Sequence, residues 1–157
     1  MGRSRGGFGT KLHLVVDRGG VPLAATLTPG ERHESQQVDP VLRRVRLPHP
    51  PRHAGRPRPR PRRLAGDKGY SFSTVQRYLR QRGIQAIIPT RSNQRANPHF
   101  DKPTYRQRNI IERVVSWLKE SRRLATRYEK LAVNFLAMGK LAMLQRCLRV
   151  LHSSNRA

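Results

Sequence analysis

The sequence has little acidic charge, a single cysteine and no long apolar run. Asp and Glu account for 9 of the 157 residues, against 33 Lys and Arg. The lone Cys147 excludes an internal disulfide, which fits a reducing cytoplasm, and we interpret it as a small buried apolar side chain. The most apolar tract, LAVNFLAMG, is interrupted at Lys140, and the N-terminal MGRSRGGFGTK has no apolar core. The sequence therefore predicts neither a membrane span nor a secretory signal.

What the sequence has in excess is positive charge. The formal net charge is +24. A chain of this charge attracts polyanions before any specific contact forms, and nucleic acid is the leading candidate. At 157 residues with 36% hydrophobic residues, it is long enough for one domain with a core and is not a disordered tail.

Two strands followed by a short helix are predicted in the first third of the chain. Residues 10–17 (TKLHLVVD) and 21–28 (VPLAATLT) are rich in β-branched and aliphatic residues, and the RGG between them predicts a hairpin. A short helix is expected to start near Ser35 or at Pro40. Residues 48–63 are dense in Pro and Arg, which forbids regular pairing and predicts an extended surface loop.

The next segment has the pattern of a strand–helix–strand unit. Residues 64–67 and 84–89 are predicted strands, and residues 73–82 form a helix that stops at Gly83. A connection of this kind implies a parallel strand pair. A polar loop follows, and then helices are expected over residues 105–122 and 131–151. The sequence thus predicts an α/β domain over residues 1–151, with residues 152–157 as a tail.

Glu112 stands out because acidic residues are scarce and its neighbours are cationic. On one continuous helix from Tyr105 to Arg123, the apolar residues Ile111, Val114, Trp117 and Leu118 occupy one face. The opposite face collects Tyr105, Arg108, Glu112, Lys119 and Arg123. Taken alone, Glu112 reads as a salt-bridge partner of Arg108 on a solvated helix face.

A second acidic residue favours a functional interpretation of Glu112. Asp67 ends the predicted strand at GDKGY, and Gly69 lets the chain turn there. Ligands of open α/β sheets sit beyond the carboxyl ends of strands. A carboxylate at that position, joined by one from a helix, is suited to hold divalent metal ions for phosphoryl transfer.

At this point the residues match a family. The spacing Tyr105-x2-Arg108-x3-Glu112-x6-Lys119 resembles the Y-x2-R-x3-E-x6-K pattern of bacterial insertion-sequence transposases with a DDE active site, the IS-four and IS-five group. The segments GRSRGGFGTKLHLVVD, LTPGERHES, GDKGY and RLATRYEKLAVNFLAM are similar to the IS-five-like branch, in the same order. The resemblance extends from Gly2 to about Leu148.

The resemblance implies a fold, a site and partners. The fold would be RNase-H-like, a mixed sheet with packed helices that lacks its first strand. Asp67 and Glu112 would be catalytic residues and ligands of Mg²⁺ or Mn²⁺. The substrate would be double-stranded DNA at transposon ends and target, bound by a homo-oligomer in the bacterial cytoplasm. The implied DNA-binding residues are Lys68, Tyr105, Arg108, Lys119 and Arg123.

The chain also departs from the family pattern. The family's first catalytic aspartate lies upstream of GRSRGG, and this chain begins at that motif, so we expect an upstream-encoded half and an inactive chain on its own. Asp17 could replace that aspartate, but an Asp before RGG is favoured for turn formation alone. The alternatives are a non-catalytic basic nucleic-acid-binding protein, a decayed transposase that still binds DNA, and a ribosome-associated protein.

Overall fold

The computed structural model describes residues 2–4, 7–45, 47, 60–98, 100–126 and 128–154, with side chains from residue 9 to residue 152. The chain divides into two compact units. One comprises residues 1–32 and 109–157, and the other comprises residues 33–108. Most of the Pro- and Arg-rich segment, residues 48–59, lies outside the described residues.

The first unit contains an antiparallel sheet of three strands in the order β1-β2-β3. Its strands are β1 (Gly2–Ser4), β2 (Gly7–Val16) and β3 (Pro22–Pro29). The β2–β3 ladder pairs Thr10 with Pro29 and Val15 with Ala24, which confirms the predicted hairpin. Strand β1, which the sequence did not predict, pairs with the start of β2 through Gly2 and Gly9.

The turn of the β2–β3 hairpin is closed by Asp17 and Gly20. The Asp17 Oδ1 atom accepts hydrogen bonds from the backbone N–H groups of Gly19 (2.9 Å) and Val21 (2.8 Å). Gly20 adopts φ +79°, in the region that favours glycine. The turn-forming role predicted for Asp17 is therefore confirmed.

Three helices complete the first unit. They are α4 (Asn109–Glu120), α5 (Arg122–Ala125) and α6 (Ala132–Ser154). The buried core consists of Ala25 from β3, Val114 and Leu118 from α4, and Met143 from α6. Leu14 and Val16, which alternate along β2, pack against this core, and His13 is buried on the opposite face of the strand. No helix in the described part of the chain is long and apolar enough to cross a membrane.

The second unit is built on a strand–helix–strand core. The strands β4 (Arg63–Ala65) and β5 (Gln85–Ile87) pair in parallel and are joined by α2 (Ser73–Gln81), which confirms the predicted unit with shorter strands. Gly83, at φ +65°, ends the turn after α2 as predicted. The unit also contains α1 (Val38–Leu42) and α3 (Lys102–Arg106). The predicted helix start near Ser35 is a short 3-10 turn, Glu34–Gln37, that leads into α1.

Two predictions of regular structure were wrong in part. Within the described residues, β1-β2-β3 and β4-β5 form separate sheets, so the single mixed sheet implied by the resemblance is not seen there. The predicted helix over residues 105–122 is three helices. The backbone N–H groups of Gln107 and Arg108 bond three residues back, to Thr104 and Tyr105, and this tight turn ends α3 before α4 begins. The segment has no Gly or Pro at the break, and Asn109, followed three residues later by Glu112, is its one signal for a new helix start.

Candidate active site

Asp67 lies just beyond the carboxyl end of β4. The parallel ladder continues for one residue past the strand, where the Gly66 N–H donates to the Ile87 carbonyl (3.3 Å). Asp67 then caps a 3-10 turn, Lys68–Tyr70, and its Oδ1 atom accepts the backbone N–H of Gly69 at 2.7 Å. The half-buried carboxylate is thus fixed to its own turn, two residues after the strand rather than within it. Residues 66–72 are called the Asp67 turn below.

A second carboxylate, which sequence reasoning missed, lies against the Asp67 turn. A methyl group at Gly69 would stand 2.7 Å from Glu34 Oε2 and 2.8 Å from Asp67 Oδ1, so both carboxylates converge on that glycine. Burial, followed by the charges of Glu34 and Asp67, raises the pKa of Tyr70 to about 12. Glu34 lies in LTPGERHES, a segment that stands out only for its family resemblance, and no sequence spacing links it to Asp67.

Two further residues of the site, which could not be identified from the sequence, lie in the loop after β5. They are Arg91 and Gln94, and both bind the Asp67 turn. The guanidinium of Arg91 donates to the carbonyl oxygens of Lys68 (Nε, 3.1 Å) and Gly69 (Nη2, 3.3 Å). The Gln94 amide donates to the Ser71 carbonyl at 2.8 Å. This loop reads in the sequence only as a polar connection. Its role depends on tertiary contacts that no local pattern encodes.

Tyr105 and Arg108, two of the predicted DNA-binding residues, form a local pair at the end of α3. Arg108 places its guanidinium carbon 5.6 Å from the centre of the Tyr105 ring, and Tyr105 packs at 5.3 Å against Phe100. Helix α3 starts at the cap residue Asp101, whose side chain accepts the Thr104 N–H at 2.9 Å. Because α3 ends before Asn109, Tyr105 and Arg108 are not on the helix of Glu112, contrary to the prediction.

Glu112 and Lys119 are exposed on α4, and Arg123 is exposed on α5. The buried side of α4 is formed by Val114 and Leu118, so the prediction that Glu112 faces away from the apolar side is confirmed. Glu112 stands in the first turn of α4, where a negative charge interacts favourably with the helix dipole. Arg123 pairs with Glu129 at 3.6 Å.

The predicted site residues are thus distributed over both units. Asp67 and the exposed Lys68 share the Asp67 turn, and Tyr105 and Arg108 belong to the same unit as that turn. Glu112, Lys119 and Arg123 belong to the other unit. Among the residues that the structure describes, no group of three or more His, Cys, Asp or Glu side chains could hold a metal ion. The convergent pair is Asp67 and Glu34, whose carboxylate oxygens are the donor type that Mg²⁺ and Mn²⁺ prefer.

Comparison with known proteins gives consistent matches. Residues 2–145 match the model of the transposase DDE domain family. The chain is 34% identical over 126 residues to a putative transposase for insertion sequence element IS402 of Burkholderia cepacia, covering 79% of this chain and 56% of that protein. It is 30% identical over 138 residues to a putative transposase for insertion sequence element IS6501 of Brucella ovis, covering 85% of this chain and 93% of that protein. The chain therefore spans little more than half the length of the IS402 relative. No solved structure matches.

Proposed function

This chain belongs to the transposase DDE domain family, and we propose that it acts in DNA transposition by metal-dependent phosphodiester cleavage and strand transfer. The observation that supports the proposal most is Asp67. The motif carboxylate lies at the carboxyl end of a parallel strand pair, where α/β proteins place their ligands, and its own turn fixes its orientation. The fold that the family resemblance implies is RNase-H-like, and we include it in the proposal.

Asp67 and Glu112 are the proposed metal ligands. When bound, Mg²⁺ or Mn²⁺ would make water or a DNA 3′-hydroxyl more nucleophilic and would stabilise negative charge at the phosphate. The chain's own contribution is positioning. The Gly69 N–H holds Asp67 Oδ1, and Glu34 brings a second negative charge to the same turn. The oxygen donors fit such an ion.

The DNA backbone would be bound by the cationic residues of both units. Lys68, Lys119 and Arg123 are exposed, and Arg108 lies beside the Tyr105 ring, a pairing suited to phosphate and stacking contacts. The net charge of +24 supplies the sequence-independent part of binding. We propose that a homo-oligomer binds transposon ends and target DNA at the bacterial nucleoid.

The test is strand cleavage and strand transfer with Mg²⁺ or Mn²⁺, assayed with this chain alone and with this chain joined to any segment that the DNA upstream of Met1 encodes. We expect Glu112→Gln and Asp67→Asn to abolish cleavage while leaving DNA affinity largely intact, because each removes a negative charge and keeps the side-chain shape. Glu120→Gln is the matched control, since Glu120 is also exposed on α4. Near-normal Mg²⁺-dependent cleavage by Glu112→Gln would refute the role of Glu112.

The same assay separates the alternative function. A non-catalytic nucleic-acid-binding protein, including a decayed transposase, would bind DNA through its charge but would cleave no DNA, with or without an added upstream segment. We expect the 157-residue chain by itself to be inactive, because the resemblance assigns it two of the family's three carboxylates. Activity of the chain alone that is lost on Asp17→Asn would show that Asp17 supplies the third.

A further inference from the structure

The loop after β5 holds the Asp67 turn through backbone carbonyl groups. Arg91 donates to two consecutive carbonyl oxygens, of Lys68 and Gly69, from two nitrogens of one guanidinium. Lys68 and Gly69 also take part in the hydrogen bonds of the Asp67 turn itself. The Gly69 N–H donates to Asp67 Oδ1, and the Ser71 N–H donates to the Lys68 carbonyl at 3.2 Å. Arg91 therefore binds the carbonyl of the peptide whose N–H donates to the Asp67 carboxylate, and also the carbonyl of the next peptide along the chain.

Gln94 completes this arrangement. Its Oε1 atom accepts the backbone N–H of Arg91 (3.0 Å), and its Nε2 atom donates to the Ser71 carbonyl (2.8 Å). One amide thus joins the start of the loop to the end of the Asp67 turn. With the two bonds from Arg91, three carbonyl groups of the turn, those of Lys68, Gly69 and Ser71, are bound by side chains of a single loop.

The chemistry of the Arg91 contacts needs a guanidinium. Its planar fork reaches two acceptors at fixed spacing, and its face lies 4.2 Å from the centre of the Phe72 ring. His33 contacts the same Phe72 ring in a T-shaped arrangement, with the ring centroids 5.0 Å apart and the ring planes at 90°. A lysine at residue 91 would keep the charge but could not reproduce the fork or the stacked contact.

We infer that Arg91, supported by Gln94, is a positioning residue that holds the Asp67 carboxylate in its metal-binding orientation. The inference rests on the proposed role of Asp67 as a metal ligand, because a positioned carboxylate without a ligand would be structural only. Arg91 does not touch the reacting atoms in this account. It acts through the peptide groups of Lys68 and Gly69.

The experiment uses the full 157-residue chain and five variants, of which Asp67→Asn serves only as the blank for metal binding. Arg91→Gln removes the fork and the charge, Arg91→Lys keeps the charge, and Gln94→Glu removes the donor to Ser71 while keeping the acceptor for the Arg91 N–H. Arg60→Gln is the matched control, because Arg60 also donates to a backbone carbonyl, that of Arg82 (2.9 Å), at a different place in the same unit. Amide signals of α2 and β5 report whether each variant is folded.

The first readout needs no metal. We expect the amide exchange rate of Gly69 to rise about fivefold in Arg91→Gln, to rise less in Arg91→Lys and Gln94→Glu, and to stay unchanged in Arg60→Gln, because the hydrogen bond to Asp67 is weakened only when its turn is released. An unchanged Gly69 rate in the folded Arg91 variants would overturn the inference. Equal acceleration throughout α2 and β5 would also overturn it, since the effect would then be general destabilisation.

The second readout is Mn²⁺ affinity, measured by paramagnetic broadening of the Asp67 and Gly69 amides, with Asp67→Asn as the blank. We expect Arg91→Gln to weaken Mn²⁺ binding by up to about tenfold, the lower end of the loss seen when a ligand's own hydrogen-bond partner is removed, because Arg91 acts on that partner, the Gly69 N–H. Arg91→Lys should weaken it less. Wild-type affinity in the Arg91→Gln chain would overturn the inference. If the unchanged chain shows no broadening beyond the Asp67→Asn blank, the proposed metal role of Asp67 fails, and the Gly69 exchange rates alone decide whether Arg91 positions the turn.

Discussion

At residue 69 the structure has room for a hydrogen atom and not for a methyl group. The φ angle of Gly69 is not in the left-handed region, where only Gly20 and Gly83 lie among the described glycines. From the sequence, this glycine is expected to let the chain turn, and the structure gives a different reason. The Cβ of any other residue would approach Glu34 Oε2 and Asp67 Oδ1 to within 3 Å. At this position, glycine provides space for two carboxylates.

Gly69→Ala is therefore expected to displace the Asp67 and Glu34 side chains and to lower the free energy of unfolding by less than about 1 kcal/mol, because the clashing atoms are the ends of side chains that can move. Urea unfolding measures the change. Gly66→Ala is the control in the same turn, because its added methyl would meet Ile88 and Tyr70 side-chain atoms at an ordinary 3.4 Å. If the clash is the cause, Glu34→Ala should reduce the cost of Gly69→Ala when the two are combined. Purely additive costs would contradict this explanation.

Gly20 combines two requirements, a left-handed backbone and close packing. Its φ is +79°, and a Cβ there would lie 3.1 Å from Ile110 Cγ1 and 3.3 Å from Val114 Cγ2. We predict that Gly20→Ala lowers the free energy of unfolding by about 2 kcal/mol through strain and crowding against α4. Gly19→Ala, at an exposed position of the same turn, should change it by less than about 0.5 kcal/mol. Similar urea midpoints for the two variants would show that the hairpin turn does not pack on α4.

At the scale of elements, Asp39 joins α1 to α2. Its carboxylate accepts the Tyr78 hydroxyl (2.5 Å) and the Arg43 Nε–H (2.9 Å), and Arg82 lies at 3.6 Å. The hydrogen bond from Arg43, followed by that from Tyr78, lowers the pKa of Asp39. Burial, followed by the bond to Asp39, raises the pKa of Tyr78 to about 12. The Asp39 carboxylate on α1 and the protonated Tyr78 hydroxyl on α2 therefore hold the two helices together.

The raised pKa of Tyr78 predicts that the folded chain loses stability at high pH. The unfolded chain releases the Tyr78 proton near the ordinary pKa of 10, whereas the folded chain holds it until about 12. The stabilisation from Tyr78 is therefore fully present below pH 10 and is lost as pH rises from 10 to 12. We expect the difference in urea midpoint between the unchanged chain and Tyr78→Phe to shrink across that interval. A constant difference would mean that Tyr78 has an ordinary pKa in the folded chain.

The elements that could be predicted from the sequence are those whose signals lie within a few neighbouring residues. The hairpin, the βαβ unit, the stop at Gly83 and the apolar side of α4 follow from periodicity and turn chemistry, which act over a few residues. The break between α3 and α4 was missed because it has no Gly or Pro, and the helix-start signal of Asn109 and Glu112 lies within a longer amphipathic pattern. Glu34, Arg91 and Gln94 were missed because their contacts with the Asp67 turn span more than 20 residues of chain.

At the scale of the whole molecule, the dominant property is the excess of cations. The 33 Lys and Arg exceed the 9 Asp and Glu so far that most cations have no acidic residue to pair with. Several described arginines, such as Arg60 and Arg91, donate to backbone carbonyl groups, which carry no net charge. A molecule of this kind gains free energy by exchanging the counterions of DNA for its own side chains.

We therefore predict tight, weakly sequence-selective binding of this chain to duplex DNA, with strong dependence on salt. The logarithm of the association constant should fall linearly with the logarithm of salt concentration, with a slope of about −0.9 for each phosphate neutralised, because binding releases condensed counterions. Fluorescence anisotropy of a labelled duplex across a salt series measures the slope.

Lys119→Gln and Arg123→Gln should each make this slope shallower by about one unit if these residues contact phosphate. Glu120→Gln, beside them in the same unit, adds no cation and should leave the slope unchanged. Affinity that barely changes between low and moderate salt would show that the net charge does not govern binding.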